Sequence, residues 1–214
     1  MDSTSISHRR GAALAVLGTL ALAVLAPSAS QASGAAEAEQ LVRGTYFESF
    51  PFDQARALDA DGIAWLTSLL ADPDEARTHA NTVLALGMSG HSDAFDALAA
   101  FAAAHPTRPA AYRTRRAWRV LPQAMGHLAR EDPRALAWLA AEAARAAADA
   151  GRLEVVWTAI GMAGTAEADA ILIAAQSTAS PEDAARISRA RERCARVANH
   201  GANAVFAQPA AGAR

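Results

Sequence analysis

The chain has 214 residues, 52% hydrophobic, 20% charged and 6% aromatic, with a formal net charge of −2 at pH 7. That balance excludes a disordered chain and leaves no overall positive field to draw in nucleic acid. The single cysteine, Cys194, excludes a disulfide framework within the chain.

His8-Arg9-Arg10 followed by the apolar stretch from Gly11 to Ala26 predicts a signal peptide over residues 1–32. Pro27-Ser28-Ala29 and Ser30-Gln31-Ala32 both end in the small-residue pattern cut by signal peptidase, and the cut after Ala32 is preferred. The apolar run is short for a membrane span, which disfavours an uncleaved anchor. Gly11-Ala12-Ala13 lacks the bulky apolar residues that would follow a twin-arginine signal. The mature protein is therefore expected to be exported, periplasmic or secreted, with no membrane span after cleavage.

Residues 33–51 read as a flexible lead-in, to Gln40, and an N-terminal cap in which Tyr46, Phe47, Phe50 and Phe52 cover the first face of the domain. From residue 52 to 201 the pattern is helical throughout. Alanine runs favour helix, and alternating β-branched stretches are nearly absent. A short helix is predicted from Asp53 to Leu58, and Asp61 caps the next, with Ile63, Leu66, Leu69 and Leu70 on one face. Asp72-Pro73-Asp74-Glu75 starts a helix that runs to Met88 and stops at Gly90. Ser92 caps its partner, and a helix from Tyr112 to Ala129 follows, interrupted by Pro122, which removes one backbone hydrogen bond. Asp132-Pro133 starts a helix to Ala150, broken by Gly151; further helices span 153–163 and 166–176, the latter capped by Thr165. Ser180-Pro181 opens a long last helix with Ile187, Ala190, Cys194 and Val197 in one apolar line, and residues 202–214 form a frayed tail.

Gly87-Met88-Ser89-Gly90 with Ala94 and Leu98 returns as Gly161-Met162-Ala163-Gly164 with Ala168 and Leu172. A weaker copy lies at Ala124-Met125-Gly126, with Ala135, Leu136 and Leu139. Gly87, Gly126 and Gly161 thus recur at roughly 35–40 residues, and they are expected at equivalent corners between helices. These residues, and the approach from Phe52 to Pro73, resemble the HEAT repeats of small bacterial proteins. The resemblance covers residues 52–198 and implies an all-α fold, a short HEAT-like α-α superhelical repeat array. It also implies a binding scaffold more often than an enzyme; a minority of such proteins attach chromophores. The matched residues are packing residues, so no functional residue transfers.

Cys194, in its apolar line, reads as a small core residue. The histidines lack the spacing of a helical zinc site, which leaves only a site assembled across repeats, with His91 and His127 on one rim. No nucleophile elbow or phosphate loop occurs, so no catalytic residue, metal or cofactor is predicted. Arg108, Arg113, Arg115, Arg116 and Arg119, interleaved with Tyr112 and Trp118, have two readings: a grip on an acidic partner, polymer or phosphate, or a solvated face paired with acids of neighbouring repeats. Trp138 is a sharper feature. Leu136, Leu139 and Ala143 turn inward, which points Trp138 outward between Arg134 and Glu142, as an exposed interface anchor.

The sequence therefore predicts a non-catalytic module that recognises a protein or peptide through its second helices, residues 93–104, 132–150 and 166–176. The expected binding residues are Trp138, Arg134, Glu142, Arg145, Arg115 and Arg119. The alternatives are a small enzyme or ligand carrier with a site between repeats, and a self-associating envelope protein.

Overall fold

The computed structural model describes residues 29–46 and 50–201. The charged start and apolar stretch of the predicted signal peptide, Phe47 and the tail 202–214 lie outside the described residues. Among those described there are ten α-helices, one 3-10 turn and no strand: α1 Ala29–Arg43, α2 Phe52–Arg56, α3 Ala60–Ala71, the turn Pro73–Glu75, α4 His79–Ser89, α5 Asp93–Ala104, α6 Tyr112–Leu128, α7 Pro133–Arg145, α8 Ala150–Ala163, α9 Ala166–Thr178 and α10 Pro181–His200. The fold is all-α. None of these helices is long and apolar enough to cross a membrane.

Local chemistry sets the helix starts. Asp132 accepts from the Arg134 N–H at 2.9 Å, Thr165 from Ala168 at 3.2 Å, and Ser180 from Asp183 at 3.2 Å. Pro133 and Pro181 occupy first-turn positions where a missing N–H costs nothing. Other expected caps move. The α3 cap is Asp59, accepting from Gly62 at 2.8 Å, rather than Asp61. Ser92 makes no capping bond with its side chain. Asp72-Pro73 opens only the 3-10 turn. The Asp72 carbonyl accepts from the His79 ring at 2.9 Å and from the Glu75 N–H, so the chain bends and α4 begins at His79. Gly151 does not break a helix; α7 ends at Arg145, and Asp149 caps α8 by accepting from Arg152 at 3.0 Å.

The segment expected as a flexible lead-in is α1. Ala38, Leu41 and Val42 fall on one face and are buried, and the helix packs on α3 and α4. Beyond it, α4, α6, α8 and α10 pack in series, each against the next. α5 lies against both α4 and α6, α7 against α6 and α8, and α9 against α8 and α10. Leu86, Met125 and Ile160 are fully buried along the series, each worth about 1.5–3 kcal/mol.

Gly87, Gly126 and Gly161 are indeed equivalent, but at crossings rather than corners. Each lies inside its helix, and a Cβ there would collide with the backbone of the next helix in the series, at Ala124, Ala159 and Ala190 respectively. Glycine against alanine lets these axes approach closely. The corners are Gly90 and Gly164, at φ 72° and 65°, a left-handed conformation that strains other residues.

A candidate binding groove between α5 and α7

Pro122 does not break α6, which runs unbroken from Tyr112 to Leu128. It does leave the carbonyl four residues earlier, on Trp118, without its helical donor. That carbonyl accepts instead from Arg152 Nη1, at 3.0 Å. The Arg152 side chain is only 7% exposed and its guanidinium lies 3.8 Å from the centre of the Trp118 ring. Its other nitrogens hold Glu142: Nε donates to Oε1 at 3.0 Å and Nη2 at 2.9 Å. Burial pushes the Arg152 guanidinium below its ordinary value, and Glu142 opposes that shift.

A groove of about 340 Å³ opens beside this arrangement. One wall is α5, through Ala99, Ala102 and Ala103, and the other is α7, through Trp138, Glu142 and Arg145. α6 supplies Trp118 and Leu121, and His105 and Pro106 complete the lining. The alanines leave room, and the two indoles provide large apolar faces. Arg145 lies 5.9 Å from the centre of the Trp138 ring and donates to Glu142 Oε2 at 2.9 Å. One carboxylate thus serves two guanidinium groups, one buried and one at the rim.

Three of the expected site residues, Trp138, Glu142 and Arg145, meet in this groove. Trp138 is half-buried and packed against the core, not the exposed anchor expected from the helical pattern, because α5 and α6 flank it. Arg134 is committed elsewhere. It pairs with Asp132 at 2.7 Å and Asp96 at 3.2 Å, donates to the Ser92 carbonyl at 3.1 Å, and lies 4.5 Å from the Phe95 ring centre. It joins the start of α7 to the start of α5, and its hydrogen bond holds the Asp132 carboxyl below the usual carboxylate range. Arg115 sits one turn before Trp118, donates to the Ala110 carbonyl at 2.9 Å and lies 6.0 Å from the Tyr112 ring centre. Arg119 is exposed on α6. No ion pair ties Arg115 or Arg119 to a carboxylate among the described residues. Trp118, which lines the groove, and Arg152, which bonds the lining residue Glu142, were not among the expected binding residues.

Elsewhere, Cys194 is buried, its thiol donating weakly to the Thr165 carbonyl at 3.6 Å, and burial raises its pKa. His127 is buried against Phe52, while His91 is half-exposed beside Asp93, at 3.7 Å. No group of three metal-ligating side chains occurs among the described residues. Phe50 and Phe52 pack on the core, and the Tyr46 and Phe50 rings meet edge to face at 5.2 Å. No protein-family model, no curated protein and no solved structure matches this chain.

Proposed function

We propose that the chain is an exported, non-catalytic binding module of HEAT-like build that takes a protein or peptide segment in the groove between α5 and α7. The observation that carries this reading is the convergence of Trp118 and Trp138 on one groove whose wall is fixed by the Arg152–Glu142 pair. Aromatic side chains in a preformed apolar cleft contribute most of the binding free energy in such contacts, and a rigid wall reduces the ordering cost on binding. The serial packing of α4, α6, α8 and α10, with a second helix across each seam, supports the HEAT-like array. Export rests on residues 1–32, and N-terminal sequencing of the mature protein should begin at Ser33; an intact apolar stretch from Gly11 to Ala26 would remove it.

The function is tested by alanine substitution at Trp118 and Trp138, with Ile173→Ala, exposed on α9, as the control outside the groove. Partner capture from the native envelope fraction should fall sharply for the two tryptophan variants and persist for the control. Equal capture by all of them would refute the assignment. A small-molecule carrier is the second reading, favoured by the groove's volume, which suits one compact ligand. A coherent small-molecule signal in native mass spectra of the purified protein would favour it.

A further inference from the structure

The groove's charge is unbalanced in one direction. Glu142 is shared by Arg145 in the lining and by the buried Arg152, so this cluster holds two guanidinium groups to one carboxylate. Arg145 stands at the rim with its side chain 57% exposed, able to bond outward while still touching Glu142. Arg115 lies one turn from Trp118 on α6, and no carboxylate among the described residues pairs with it. The interior between the indoles and the α5 alanines is apolar. A ligand matched to both features has an apolar side chain to enter the groove and a carboxylate beside it to meet Arg145.

We propose that the groove recognises an acidic peptide segment in which an aromatic or large aliphatic residue is followed directly by aspartate or glutamate. This rests on the reading of the groove as a peptide site. The apolar residue fills the space between Trp118 and Trp138, and the carboxylate accepts from the outward face of the Arg145 guanidinium. Peptide is favoured over nucleic acid because the groove lining carries a single guanidinium, Arg145, beside an apolar interior, whereas a phosphate backbone is held by several basic side chains in a row.

The test is fluorescence anisotropy with short fluorescein-labelled glycine–serine peptides added to the purified chain. One carries a phenylalanine–aspartate–glutamate core, one has asparagine and glutamine in place of the acids, one has lysines there, and one has alanine in place of phenylalanine. An oligothymidine of similar length is the fifth probe. The acidic aromatic peptide should bind about fivefold tighter than its amide version at low salt, the range of a rim-exposed ion pair, and the gap should shrink as salt rises. Arg145→Gln should bring the ratio of acidic to amide affinity, read within that one variant, down to about one, whatever it does to binding of the amide peptide. Equal affinity for the acidic, amide and lysine peptides would overturn the charge preference and leave the peptide groove standing. Binding to no peptide would overturn both. Tighter binding of the oligothymidine than of the acidic peptide would overturn the proposal in favour of a nucleic-acid surface.

Discussion

Replacing Arg152 with methionine keeps most of the side chain's apolar length and removes its charge. Three contacts go together: the pair with Glu142, the hydrogen bond to the Trp118 carbonyl, and the stacking over the Trp118 ring. Breaking a buried ion pair from one side costs about 3–5 kcal/mol. Glu142 keeps Arg145, so the lower end applies, about 3 kcal/mol, a Tm drop of about 6–12 °C for a domain of this size. Urea unfolding followed by far-ultraviolet circular dichroism reads this directly. A double-mutant cycle with Pro122→Ala then isolates the carbonyl. Alanine restores an N–H that can serve the Trp118 carbonyl, but only in the Arg152→Met background is that carbonyl otherwise without a donor. The helix-propensity gain is common to both backgrounds and cancels, leaving a coupling of about 1 kcal/mol. A loss below about 1 kcal/mol for Arg152→Met, or no coupling with Pro122, would refute the reasoning.

Gly126→Ala should destabilise the protein by about 1–3 kcal/mol despite alanine's better helix propensity, because its Cβ meets the Ala159 backbone. Gly151→Ala, whose Cβ meets nothing nearer than Asp149 at 3.5 Å, should be neutral or stabilise by up to about 1 kcal/mol in the same thermal melts. His127 is held down to about pKa 4, first by burial and then by Arg130 and Arg56. The unfolded chain takes up a proton below about pH 6.5 and the folded one only below about pH 4, so stability should fall by about 3 kcal/mol as pH drops across that window. Denaturant unfolding at several pH values should find that slope flattened in His127→Gln. Trp138→Ala should cost about 1–2 kcal/mol of stability, between a surface change and a full core truncation, because the ring is half-buried. A loss of about 3 kcal/mol or more in calorimetry would make it a core residue.

Features settled within a few residues were legible in the sequence. Asp132-Pro133, Thr165 and Ser180-Pro181 cap where expected because capping is local chemistry. The buried line Ile187, Ala190, Cys194 and Val197 followed from helical spacing alone. Asp72-Pro73 misled because the His79 ring reaches back for the Asp72 carbonyl, an interaction no capping pattern encodes. The recurring glycines were visible, but their role was not. A glycine that ends a helix and one that lets two helices touch leave the same mark in a sequence, and only the position of Ala124, Ala159 and Ala190 separates them.

The groove was half legible for a related reason. Trp138, Glu142 and Arg145 lie on successive turns of α7, so one periodic pattern brought them together. Pro122 announced that the Trp118 carbonyl would lack a helical donor. The donor, Arg152, lies 34 residues away in sequence and is delivered by packing of α8 against α6 and α7. Helical spacing puts Arg134 on the face of Trp138, whereas Asp96 and the Ser92 carbonyl across the gap hold it against the start of α5.

The chain has four tryptophans, Trp65, Trp118, Trp138 and Trp157, and their indole N–H signals in a nitrogen–proton correlation spectrum can each be assigned by single substitution. Titrating the labelled protein with the acidic aromatic peptide tests most directly whether the cleft between α5 and α7 is the binding site. The Trp118 and Trp138 signals should shift together along one saturating curve, while those of Trp65 and Trp157, which do not line the groove, stay in place. Saturable binding that moves Trp65 or Trp157 and leaves Trp118 and Trp138 unshifted would contradict it.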